Sequence, residues 1–164
     1  MPEITTIGWF HTAMGIVAIV SAVAALINHK EIRLGTRTGE VYLVTTLITA
    51  ATALTIFQHG GFGPAHGLAV LTLLALVVGV VADKTAVFGA MSRYIRAISY
   101  SATLLFHGIP AITDGLMRLP VGDPVVTSIE DPLLRTCYLV LLGAFVVGIA
   151  LQIRWIRRQP AAQQ

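Results

Sequence analysis

GWFHTAMGIVAIVSAVAALI, residues Gly8 to Ile27, runs for 20 residues without an Asp, Glu, Lys or Arg. A helix needs about 20 mostly apolar residues to cross the roughly 30 Å hydrocarbon core of a bilayer. This stretch alone therefore reads as a membrane span. The segment before it carries Glu3 and no basic residue, and the positive charges Lys30, Arg33 and Arg37 come after it. That is the reverse of a secretory signal, so the stretch is expected to be a retained first helix.

The composition of the rest agrees. The chain has 164 residues, 55% of them hydrophobic and only 12% charged, with a mean hydropathy of +0.80. A soluble domain carries about 25% charged residues. Half that number cannot cover a water-facing surface. Four more stretches have the length and character of spans: Val41 to Gln58, Phe62 to Ala82, Arg96 to Leu116 and Leu133 to Ile153. The Gly- and Pro-rich turn from His59 to His66 makes the second and third adjacent and antiparallel. The expected fold class is all-α, an integral membrane helical bundle of five transmembrane helices. Residues 1–158 form a single domain and residues 159–164 a disordered tail. Pro120, Pro124 and Pro132 keep the loop from Leu119 to Pro132 from forming a long helix, and this loop is expected over one mouth of the bundle.

Basic residues orient such a bundle. Lys30, Arg33, Arg37, Lys84, Arg93, Arg96, Arg154, Arg157 and Arg158 fall on one side of a five-span arrangement, and only Arg118 and Arg135 fall on the other. The N-terminus is then outside and the C-terminus cytoplasmic. No basic run with interleaved aromatics is present, so nucleic acid is not an expected partner. The expected surroundings are a bacterial inner membrane, with other membrane subunits or further copies of the chain as protein partners. Cys137 is the only cysteine, which excludes an intramolecular disulfide and any Cys-based metal motif. It reads as a buried, inert thiol.

Polar groups within a bilayer are costly and face the bundle interior. On the first span His11, Gly15, Ala18, Ala22 and Ala25 form a stripe of small residues below a histidine. On the second, Thr45, Thr49, Thr52 and His59 share a face. On the fourth, Ser99, Thr103, His107 and Asp114 do. Four of the five histidines, His11, His59, His66 and His107, fall in the outer half, and His29 alone lies at the inner end. Three readings compete. His11 and His107 are the deeper pair and suit the axial positions of a b-type haem. His11, His59, His66 and Asp114 suit a single transition-metal ion such as zinc, copper or iron. The third reading has no cofactor: the histidines bond to water, headgroups or neighbouring helices. Asp114 also has a plain ion pair available with Arg118 one turn away. The threonines of the second span can line a polar path or bond back to their own carbonyls.

Several motifs carry a resemblance. His11-x-x-x-Gly15, the loop Gly35-Thr36-Arg37-Thr38-Gly39-Glu40-Val41-Tyr42, the turn Gly60-Gly61-Phe62-Gly63-Pro64-Ala65-His66, and Arg93-Tyr94-Ile95-Arg96 before a span resemble an uncharacterised family of small bacterial predicted membrane proteins. The resemblance covers residues 8–105, with Gly35 standing where family members carry a histidine. A looser similarity links such bundles to four-helix haem b membrane cytochromes and oxidase-assembly proteins. The resemblance implies a small multi-pass membrane protein. Together with the histidines it gives the leading expectation: a haem b or metal-binding protein active in electron transfer or respiratory-complex assembly. The alternative is a cofactor-free accessory or structural subunit. A metal-dependent membrane hydrolase ranks last, because no independent general base accompanies the histidines. Whether the chain is an enzyme is left open at this stage.

Overall fold

A computed structural model describes residues 4–57 and 61–159. His59 and the tail beyond residue 159 lie outside the described residues. The chain forms five α-helices and one 3-10 turn: α1 (Thr6–His29), α2 (Arg37–Ala53), α3 (Pro64–Lys84), the turn Gly89–Met91, α4 (Ser92–Arg118) and α5 (Pro132–Arg158). Among the described residues there is no strand. Three of the helices, α1, α3 and α5, are long and apolar enough to cross a membrane.

Local chemistry sets the helix ends. Thr5 Oγ1 accepts from the Gly8 amide at 3.1 Å and Thr36 Oγ1 from the Gly39 amide at 3.2 Å. Asp131 caps α5 by accepting from the Leu133 amide at 2.8 Å. Each satisfies a backbone donor that the first helical turn leaves unpaired. Lys30 ends α1 in the left-handed region at φ 63°, its amide bonded to Leu26 O at 3.0 Å. The second helix starts earlier than its apolar run and stops at Ala53, short of the expected Gln58. The Thr55 and Ile56 amides turn back onto the Thr52 and Ala53 carbonyls, which closes the helix there. The fourth helix runs through Pro110 and extends past its apolar stretch at both ends.

Consecutive helices pack against one another, and α4 also touches α1. The direction alternates: the start of α1 meets the end of α2 at His11 and Thr49, and late α5 meets early α4 at Gln152 and Ser101. All nine basic residues of the majority group therefore gather at one end, which we call the basic end. The loop after α4 folds back onto the end of that helix: the Val126 amide bonds to Leu116 O at 3.0 Å, and Val126 is buried.

The burial pattern is that of a bundle turned toward lipid. Ala18, Ala22, Ala25, Thr46, Tyr42, Tyr100 and Thr103 are 0% exposed, whereas Val, Leu, Ile and Phe side chains crowd the surface. Only 6% of the apolar stretch of α5 is buried. With lipid as apolar as leucine, close approach and polar contacts hold helices together rather than hydrophobic burial. The alanine stripe of α1 supplies close approach. At Gly79 on α3 the Tyr100 ring lies directly over the backbone, where a Cβ would collide with it. Ser101 and Gln152 bond reciprocally between α4 and α5, at 2.9 and 3.2 Å, and Thr113 meets Tyr138 at 2.7 Å.

At the basic end a buried ion cluster joins three segments. Arg96 Nη2 donates to Glu31 Oε2 at 2.7 Å and Nη1 to Asp83 Oδ1 at 2.9 Å. Asp83 Oδ2 accepts from the Leu34 amide at 3.0 Å, and Arg33 reaches Glu31 Oε1 at 3.7 Å. The Glu31 side chain is 3% exposed and that of Asp83 9%. Removing one partner of a buried pair strands its charge and costs about 3–5 kcal/mol. Arg96→Ala is therefore expected to lower unfolding stability in detergent by about that amount. Gly79→Ala, which forces a methyl into the Tyr100 ring, is expected to cost about 1–3 kcal/mol. Arg33→Ala, removing a half-exposed partner at longer range, serves as the mild comparison; denaturant titration followed by circular dichroism reads all three.

Candidate functional site

The polar residues of α1, α2 and α4 meet in a seam inside the bundle, and α2 is its spine. Thr45, Thr49 and Thr52 bond back to the carbonyls of Val41, Thr45 and Ile48 at 2.7 to 2.8 Å. They are satisfied within their own helix and form no open polar path. Thr46, off that stripe, departs from the pattern: its Oγ1 lies 3.2 Å from His107 Nε2 of α4. One turn earlier the Tyr42 hydroxyl meets Thr103 Oγ1 at 2.5 Å and lies 3.3 Å from the Tyr100 carbonyl. Thr103 gives its own proton to that carbonyl at 2.7 Å, so Tyr42 is the donor in the short contact. The Tyr42 ring stands edge-on to His107, centroids 6.4 Å apart.

His11 lies at the opposite end of the seam from the basic end. Its Nδ1 is 3.0 Å from the Thr49 carbonyl and 3.2 Å from Thr52 Oγ1. A carbonyl only accepts, so Nδ1 carries the proton and Nε2 carries the lone pair. Metal-binding histidines are held this way: the far nitrogen donates to a carbonyl or carboxylate, which fixes the ring and the tautomer. Nε2 of His11 makes no hydrogen bond among the described residues. His107 and Asp114 both lie within electrostatic range of His11.

His66 takes another role. Its Nδ1 accepts from the Gly63 amide at 3.1 Å, capping α3. Its ring is stacked between Phe57 and Phe62, at 4.7 and 4.9 Å. With Nδ1 accepting, the neutral ring holds its proton on Nε2 and offers a metal no lone pair. Asp114, 61% exposed, pairs with Arg118 at 3.3 Å in the helix-end ion pair that the spacing allowed. Cys137, expected buried, is only half-buried, because it lies on α5 in an open groove lined with Ala111 and Gly115 of α4.

The two cofactor readings meet this geometry differently. Haem between His11 and His107 needs a slot for the macrocycle and both ring nitrogens free to face iron. His107 Nε2 is bonded to Thr46, and neither of two open surface grooves, one along the end of α5 and one between α4 and α5, touches either histidine. As packed, the seam does not accommodate a macrocycle. A single ion is served better, since His11 presents an oriented lone pair. However, no three of His, Cys, Asp and Glu converge among the described residues. The sequence missed Thr46, the Tyr42–Thr103 contact and the Glu31–Asp83–Arg96 cluster. The only signal for the cluster was that Glu31 and Asp83 are carboxylates amid the nine basic residues.

No family model, no curated protein and no solved structure matches this chain.

The Thr46–His107 bond is expected to couple α2 to α4 energetically. In a double-mutant cycle of Thr46→Val and His107→Ala, the two losses should fall short of additivity by about 0.5–2 kcal/mol. Strict additivity would show that the bond contributes nothing.

Proposed function

We propose that this protein is a small multi-pass membrane protein that binds a transition-metal ion at the end of the seam opposite the basic end. His11 is the principal ligand, and the site serves electron transfer or assembly of a respiratory complex. The carrying observation is the His11 Nδ1–H bond to the Thr49 carbonyl, which sets Nε2 for ligation. His107 and Asp114 are the groups proposed to move in and complete the site, His107 leaving Thr46 and Asp114 leaving Arg118. Imidazole ligands suit zinc, copper and iron.

The packing supports a five-span reading. α2 has 17 residues, about 26 Å of helix, and α4 carries its Ser101, Thr103 and His107 buried. Both cross as inner members of a bundle whose apolar α1, α3 and α5 face lipid, giving five spans. The nine basic residues place the basic end in the cytoplasm and the N-terminus outside. A second reading, a cofactor-free accessory subunit, is favoured by a different observation. His11 and His107 both bond to threonines of α2, which stitches α1 and α4 to it, and α5 leaves nearly all of its apolar surface uncovered.

Reporter fusions test the topology: a reporter after Gln164 should read cytoplasmic and one near Val125 external, and both on one side would sink the five-span arrangement. Elemental analysis and an optical spectrum of the purified protein test the site. Near-stoichiometric metal, lost in His11→Ala and kept in His66→Ala and His29→Ala, is the expected result. A Soret band lost in His11→Ala and His107→Ala would replace the ion by haem b, with Thr46 displaced. Metal and haem both absent from protein prepared without chelators would leave the accessory reading.

A further inference from the structure

Of the basic residues gathered at one end, α5 carries three in its last turns: Arg154, Arg157 and Arg158. Spacings of three and four put them on one helical face, with Ala150 one turn before Arg154 and Ile153 one turn before Arg157. The same five residues line one open groove. All three arginines are exposed, and their guanidinium groups bond to no protein group among the described residues.

The described carboxylates of that end are already engaged. Glu31 and Asp83 hold Arg96, and Glu40 accepts from the Gly35 amide at 3.1 Å. Asp114, Asp123, Glu130 and Asp131 belong to the opposite end. Like charges three and four residues apart on a helix repel one another, so the three guanidinium groups are complemented by an anion from outside the chain. The floor of the groove says which kind. Ala150 and Ile153 are apolar, and the uncovered face of α5 continues one turn further as exposed Val146 and Val147. A free anion or an acidic peptide would match the arginines alone. A phospholipid matches both parts. Arginine's planar fork binds phosphate oxygens in pairs, and an acyl chain suits the apolar track. Trp155, half-buried beside the arginines, is of the type that marks the headgroup level.

We propose that the groove of Ala150, Ile153, Arg154, Arg157 and Arg158 binds the headgroup of an anionic phospholipid, with one acyl chain lying along Val147 and Val146. The site rests on the multi-pass membrane reading above, and on neither a metal at His11 nor the direction of insertion.

Lipid retention tests it. The whole protein is placed in nanodiscs of equal parts phosphatidylcholine and phosphatidylglycerol, and the lipid it keeps on release is read by native mass spectrometry. The wild type should keep several-fold more phosphatidylglycerol than phosphatidylcholine. The triple variant Arg154→Gln, Arg157→Gln, Arg158→Gln should lose that preference. A second triple variant, Lys30→Gln, Arg37→Gln, Lys84→Gln, removes the same charge from the same end and should keep it. No preference in the wild type, or a preference that survives in the first variant, would overturn the site. Equal loss in both variants would also overturn it, since that marks a diffuse field rather than a groove. A chain that stays in solution without detergent or nanodisc sinks the membrane reading and the groove with it. A chain that inserts without selecting the anionic lipid sinks the groove alone.

Discussion

Arg96 is the group on which the arrangement depends. Its guanidinium is the common partner of a carboxylate after α1 and another at the end of α3, and it belongs to the first turns of α4. Two carboxylates so little exposed need a charged partner to offset their desolvation. By holding them it fixes where α4 begins relative to the other helices. That placement sets Tyr100 over Gly79 and brings Thr103 and His107 beside Tyr42 and Thr46. The polar seam is thus a consequence of the ion cluster's register.

The membrane setting explains why so few contacts carry so much. Apolar side chains gain little by leaving lipid for one another, so the interior is rich in alanines and threonines around two tyrosines, and most of the larger aliphatics lie outside. Each inter-helix contact is either a close approach or a hydrogen bond. Gly108 gives Leu141 room between α4 and α5, and Ser101 with Gln152 locks the same pair nearer the basic end. In such a bundle a histidine bonded to a threonine is already a structural fastener. At His11 the fastener leaves Nε2 without a hydrogen bond among the described residues, so the proposed ligand role does not compete with the structural one.

The helical faces that build the seam were legible in the sequence, and the pairings it missed have physical causes. The stripe of His11 with Gly15 and three alanines is a simple helical face, and the structure buries those alanines completely. The stripe of Thr45, Thr49 and Thr52 was equally visible, but a threonine's choice between its own carbonyl and a neighbouring helix depends on what faces it. Thr46, outside that stripe, faces α4 and holds His107. His66 was grouped with His11 because both fall in the outer half. Its ring instead turns back to cap its own helix, a local bond available as soon as the chain turns at Gly63.

By itself the sequence determined an all-α chain, the long apolar stretches, the alternation of helices, the gathering of basic residues at one end and the inward small-residue face of α1. These follow from composition and from the 3.6-residue period, which act along a single helix. Tertiary structure alone decided which carboxylates share Arg96, which threonine bonds His107 and which imidazole nitrogen is left free. Those are pairings between segments far apart in the chain, set by the register of one helix against another. No periodicity within one helix encodes that register.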